Sequence, residues 1–161
     1  MNENKFEIKI NGKTYGLVDV KKWADELEVK PIELVEKMQD WDAKQWALFA
    51  YMDFDAYHID DITNLDIDTD DVEIGSVEVS VLTDDEADDR WEEELDSYLD
   101  ECVYPEIPDW IQNYFDDEAW KRDARMNGRG YSISRYDGYE NDFEIEFDDG
   151  TESWIYIYRQ N

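Results

Sequence analysis

The sequence predicts an α+β fold in which short helices pack with small antiparallel sheets in an elongated, acidic protein. Three observations carry that reading. Apolar and polar residues alternate near both ends of the chain, in Phe6–Ile10 and Phe143–Phe147, and the second run turns into Trp154–Tyr158. Between them, apolar residues recur at helical spacing, most clearly at Trp91, Leu95, Tyr98, Leu99 and Cys102. The 42% hydrophobic and 15% aromatic content supplies the material for a packed core, which disordered acidic tails lack.

Taken in order, Phe6, Ile8 and Ile10 lead into Asn11-Gly12 and then Lys13-Thr14-Tyr15. Asn-Gly tolerates positive φ at both central positions of a type I′ turn, so this is a hairpin. Asp19 is placed to cap a short helix with Val20, Trp23 and Leu27 on one face. Pro31 opens a second helix with Ile32, Val35 and Met38 as its buried stripe, and a third runs from Asp42 through Trp46, Phe49 and Ala50. The alternation in Val72–Val81 changes phase at Gly75-Ser76, which a bulge or a two-residue hairpin would produce. Thr83 and Glu86 form a capping box for a helix over residues 84–102. Pro108 starts another through Trp110, Ile111 and Tyr114, and a further short helix spans Ala119 to Arg125 and ends near Gly128. Tyr131–Tyr136 reads as a strand. The Phe143–Phe147 strand turns at Asp148-Asp149-Gly150 into Trp154–Tyr158.

Charge narrows the function. The formal net charge is -30 at pH 7, large enough to strain a compact fold by self-repulsion. It is unevenly placed. Residues 1–45 carry eight Lys against ten acids, residues 46–102 carry 21 acids against Arg90 alone, and residues 103–161 carry 14 acids against six bases. A halophile surface or a simple solubility device would not require that clustering, whereas a dedicated electrostatic face does. Direct binding to nucleic acid or to an anionic membrane is disfavoured, and a basic protein partner is favoured.

The helix over residues 84–102 is the candidate face. Its 11 acids fall on about 28 Å of axis, one per roughly 2.6 Å, against one charge per roughly 1.7 Å for duplex DNA. Acids of residues 53–71 and of the C-terminal strands could close that gap. Asp84, Asp85, Asp88, Asp89, Glu92, Glu93 and Asp96, supported by Asp100 and Glu101, are therefore the partner-binding candidates, standing in for phosphates before Arg and Lys side chains.

Downstream, Pro108, Tyr114-Phe115-Asp116, Ala119 and Arg122-Asp123 resemble, in order and spacing, the C-terminal part of the ArdA-type antirestriction proteins. The resemblance covers roughly residues 84–130, and residues 1–52 lack that family's N-terminal pattern of Asn, Gly, Tyr and Trp. It implies an inhibitor, often dimeric and encoded by a phage or mobile element, that occupies the basic DNA-binding groove of a type I restriction-modification enzyme in the host cytoplasm. A different front end could address a CRISPR effector instead, and a non-mimic adaptor for a basic client is the remaining alternative. The division that follows is an N-terminal hairpin with helices over 1–52 and an acidic ArdA-like α+β region over 53–161, as two units or as one continuous fold.

Other chemistry is set aside. His58 is the sole histidine, which excludes imidazole-rich metal sites. Cys102 is the sole cysteine, so no intrachain disulfide forms. Its place on the apolar helical face reads as packing. Asp66–Asp70 opens like a calcium loop, but the sixth position is Asp71 rather than Gly and the twelfth is Val77 rather than Glu. No metal, cofactor or catalytic residue is expected, nor is a signal core or a membrane span. The two helices between Asp19 and Met38 also resemble a helix-turn-helix, with Lys21, Lys22, Lys30 and Lys37 as its cations, but a duplex would have to approach against the whole acidic field.

Overall fold

A computed structural model describes residues 6–68 and 71–161. Met1–Lys5 and, within the Asp66–Asp70 run, Thr69 and Asp70 lie outside the described residues. The protein is α+β, built on one six-stranded antiparallel sheet rather than on separate small ones. In chain order the strands are β1 (Glu7–Ile10), β2 (Lys13–Gly16), β3 (Val72–Ile74), β4 (Val77–Thr83), β5 (Asn141–Phe147) and β6 (Glu152–Arg159). Their spatial order is β2-β1-β5-β6-β4-β3. The N-terminal hairpin joins the C-terminal one because Ile8 and Ile10 pair with Phe147 and Ile145, aligning two apolar stripes in one register. Asn11 (φ 51°) and Gly12 (φ 83°) make the hairpin turn as their sequence requires. Gly75-Ser76 closes a second two-residue hairpin, between β3 and β4, which decides between the two readings of that phase change.

The helices are α1 (Leu17–Leu27), α2 (Pro31–Met38), α3 (Ala43–Tyr51), α4 (Ile59–Asn64), α5 (Asp84–Tyr98), α6 (Asp109–Gln112), α7 (Asp117–Arg125) and α8 (Arg129–Ile133). None is long and apolar enough to cross a membrane. Strand alternation sorts them between the two faces of the sheet. Val79, Val81, Ile145, Ile155 and Ile157 point to a large core with Trp23, Leu34, Met38, Trp46 and Phe49 of α1–α3. Trp46 meets Trp41 edge-on with centroids 4.9 Å apart, and Phe54 stacks on Tyr15 at 4.6 Å. The alternate residues Leu82 and Tyr158 face the other way and pack with Ala87 and Ile133 of α5 and α8 in a second, smaller core. The acidic helix thus lies on the face opposite the aromatic core.

Several local expectations are corrected. Asp19 is the third residue of α1 rather than its cap: the helix starts at Leu17, and the Asp19 carboxylate accepts from the Gly16 backbone N–H at 2.9 Å. In α2 the buried pair is Leu34 and Met38 while Ile32 is exposed, because α2 packs on α1 over the row that contains Leu34. The long acidic helix keeps α geometry only to Tyr98 and then widens into a π turn over Leu99–Val103. The wider turn rotates later side chains off the earlier face, so Leu99 stays buried and Cys102 is exposed. The Pro108 helix is a single turn with Trp110 and Tyr114 exposed, and Ala119 and Trp120 are half-buried.

Tyr131–Tyr136 is not a strand. Arg129–Ile133 is helical, and the chain then turns through Ser134–Gly138, where the Ser134 hydroxyl hydrogen-bonds the Asp137 carboxylate and the Arg159 carbonyl. Alternation failed as a guide because Ile133 is buried whereas Tyr131 and Arg135 are exposed. The crossing of α8 over the following loop is so close that a Cβ on Gly130 would lie 2.6 Å from the Glu140 backbone nitrogen. Gly130→Ala is expected to destabilise the fold by about 1–3 kcal/mol through this overlap, read as a lowered midpoint in denaturant melts.

Candidate acidic interface

The functional candidate is built from α5 outward. Thr83 caps it as its sequence specifies: the Thr83 hydroxyl accepts from the Glu86 backbone N–H at 3.2 Å, and the Glu86 carboxylate accepts from the Thr83 backbone N–H at 2.9 Å. Three acids in the first turn suit the positive end of the helix dipole. Ala87 packs the helix onto Leu82 and Tyr158 of the sheet, and Leu95 is buried as well. The remaining polar residues separate into three sets with different fates.

The first is the row Asp84, Asp88, Glu92 and Asp96, one residue every four, which faces α7 and α8. Arg129 donates to Asp84 at 2.9 Å, to Asp88 at 2.8 Å and to Glu140 at 2.5 Å, and its guanidinium lies 4.5 Å from the centre of the Tyr156 ring. Tyr158 donates its hydroxyl to the same Glu140 carboxylate. Lys121 pairs with Glu92 at 2.6 Å and Asp96 at 2.5 Å, and Arg125 pairs with Glu92 as well. The cations are the enclosed partners: the Arg129 and Lys121 side chains are 10% and 8% exposed, while the four carboxylates are between 45% and 60% exposed. Burial works against charge on Arg129, but hydrogen bonds to Glu140 and Asp84 outweigh it and hold the guanidinium above its usual range. Its hydrogen bonds to Asp96 and Glu92 likewise raise Lys121, and the Lys121 hydrogen bond holds the Glu92 carboxyl below its ordinary range.

The second set, Glu86 and Arg90, lies on the opposite flank. Lys44 of α3, 9% exposed, donates to Glu86 at 2.8 Å and Asp68 at 3.3 Å. Arg90 reaches Ser80 at 3.3 Å and Asp71 at 3.5 Å. Burial opposes the Glu86 charge, but the Lys44 hydrogen bond prevails and lowers its pKa.

The third set faces outward. Asp85, Asp89, Glu93, Asp100 and Glu101 are exposed and make no ion pair among the described residues, and half-buried Glu94 makes none either. Of the nine acids named from sequence, the fold therefore pairs four internally and leaves five free. With Glu94, the segment over residues 84–102 presents six unpaired acids, about one per 5 Å, roughly a third of the charge density of duplex DNA. The helix alone falls short of a duplex.

The sheet supplies more. Asp142, Glu144 and Glu146 alternate with the core residues Phe143 and Ile145, so they point to the same side of the sheet as α5, with Glu152 directly across from Glu146. Carboxylate oxygens of Glu144, Glu146 and Glu152 lie within 4.8 Å of one another. Register is what places these C-terminal strand acids on this side. Lys44, Lys121 and Arg129 were not singled out from sequence, because all their partners but Glu140 lie 24 to 45 residues away and local spacing carries no sign of them. His58 sits half-buried beside Asp55 at 3.8 Å, away from this face, and takes no part in it.

Two outcomes follow. Arg129→Ala leaves Asp84, Asp88 and Glu140 facing one another uncompensated and is expected to cost about 2–3 kcal/mol, the value for a broken buried pair reduced for the exposure of the carboxylates, measured by chemical denaturation. Because the folded-state pKa of Glu92 is depressed, its stabilisation is fully present above the ordinary Glu value of about 4.3 and disappears as pH falls through the depressed value. Glu92→Gln should therefore lower stability at pH 7 and match the unsubstituted protein once both are melted well below pH 4. Comparison with known proteins assigns no relative: no family model, no curated protein and no solved structure matches this chain.

Proposed function

We propose that this protein is a DNA-mimicking inhibitor that occupies the basic DNA-binding groove of a bacterial defence enzyme and acts as a ligand, not as a catalyst. The observation that carries the reading is the division of carboxylates on one side of the sheet. The cations of α3, α7 and α8 are spent holding α5 in place, and Asp85, Asp89, Glu93 and Asp100 are left unpaired toward solvent. The Asp142, Glu144, Glu146 and Glu152 group extends the acidic surface on that same side.

Individual exposed ion pairs contribute about 0–1 kcal/mol, so binding must come from many contacts made together and from release of counterions held by both surfaces. A rigid array does this better than a flexible acidic tail, because the side chains and backbone are ordered before the partner arrives. The Pro108–Asp123 resemblance points to a type I restriction-modification enzyme as the target, met in the bacterial cytoplasm.

The test is the plating efficiency of unmodified phage on a host with an active type I system, with and without the protein. Relief of restriction is the expected result. Asp85→Lys, Asp89→Lys, Glu93→Lys and Asp100→Lys together should abolish relief while leaving the far-UV circular dichroism unchanged. Undiminished relief by that folded variant would remove the mimic mechanism. A soluble, folded parent that gives no relief would remove type I enzymes as the target.

A further inference from the structure

We infer that the groove between the end of α5, the π turn, α7 and α8 is a docking site for an arginine-bearing segment of a basic protein partner. The inference rests on the DNA-mimic reading for the sign of the partner's charge, and it adds where that partner is gripped. The groove has a volume of about 670 Å³, inside the range of about 300–1,000 Å³ typical of ligand-burying sites. That is room for an arginine together with an apolar neighbour. Tyr98 stacks on Trp120 with ring centroids 5.7 Å apart and planes 14° from parallel, and both line it along with Tyr131. Tyr98 and Tyr131 are exposed, 54% and 68%.

Around these rings stand the carboxylates of Glu94, Glu101 and Asp123, and no Lys or Arg lines the groove. Of the cations on α7, Lys121 and Arg125 are engaged with Glu92 and Asp96, and Arg122 does not line the groove. Aromatic faces beside uncompensated carboxylates form a recognition surface for a cation that is also flat. A guanidinium stacks on a ring while its N–H groups pair with a carboxylate, which an ammonium does less well.

Charge complementarity excludes the other occupants. A second copy of this chain carries the same net charge of -30, and nucleic acid and anionic lipid are repelled by it too. A neutral apolar ligand would desolvate the three carboxylates without compensating them. Exposed aromatics in an acidic surface also give a partner a few strong anchor points, which a field of weak surface pairs cannot provide.

Cys102, the sole cysteine, is exposed and lines the groove, so its alkylation by iodoacetamide reports occupancy directly. The probe is a blocked Arg/Leu/Ala peptide at physiological salt, with a Lys/Leu/Ala peptide as its counterpart. The Arg peptide should slow alkylation of Cys102 saturably and more effectively than the Lys peptide. Glu101→Gln with Asp123→Asn should weaken that protection roughly tenfold, about 1.4 kcal/mol. Asp25→Asn with Glu33→Gln removes the same charge from α1 and α2 and should leave protection intact. Equal loss in both double variants, or no protection by the Arg peptide, overturns the assignment. Thermal melts of both variants separate misfolding from lost binding, and Tyr98→Phe, which keeps the ring, should protect like the parent. Relief of restriction without Cys102 protection would discard the groove alone, whereas Cys102 protection without relief would discard only the proposed target.

Discussion

The structure depends on how a helix bearing nine carboxylates and one arginine is kept against a sheet. Hydrophobic anchoring of α5 is thin, essentially Ala87 and Leu95 with part of Trp91. The rest of its attachment is mainly ionic, through Lys121, Arg125 and Arg129 on one flank and Lys44 and Arg90 on the other, with a hydrogen bond from the Trp91 indole to Ser132. These cations are more enclosed than their carboxylate partners, which matters for both stability and charge. Enclosed cations hold their partners in a medium of lower effective dielectric, where attraction is stronger than at the open surface. The cations themselves are largely out of reach of direct contact, so the groups an approaching macromolecule touches are carboxylates.

The arrangement reconciles two demands that conflict in a chain of net charge -30. Folding favours compensation of the acids, whereas the proposed display to a basic partner favours leaving them bare. Sorting by helical position meets both. Acids at four-residue spacing on the inner flank are compensated, and those one position further round are not. The sheet follows the same rule with a period of two: Phe143, Ile145 and Phe147 face the aromatic core while Asp142, Glu144 and Glu146 face the acidic side. The free acids of α5 alone give roughly a third of the duplex charge density, so the proposed mimicry requires the sheet acids beside them.

Much of this could be read in the sequence where the signal was local. The Asn11-Gly12 turn, the Thr83–Glu86 capping box and the alternation in Phe143–Phe147 each appear where short-range chemistry puts them. The acidic helix and its nine candidate acids were equally visible. What could not be read were features that depend on distant partners. Nothing in Lys44, Lys121 or Arg129 announces Glu86, Glu92 or Asp84, and so the split between paired and free acids was hidden. Tyr131–Tyr136 misled because a short alternating run carries strand periodicity even when Gly128 and Gly130 let the chain coil into a helical turn against its neighbour. Cys102 misled because heptad-like spacing assumes an unbroken α-helix, and the π turn at Leu99–Val103 breaks it.

The central claim is that the free carboxylates take the place of DNA phosphates in a basic groove. It is tested most directly by titrating the purified protein into a type I restriction enzyme bound to fluorescent duplex DNA, at low and at physiological salt. The account predicts stoichiometric release of the duplex, with an inhibitor affinity that falls steeply as salt rises, in parallel with that of DNA itself. Binding to the enzyme with the duplex still in place, or release indifferent to salt, would contradict it.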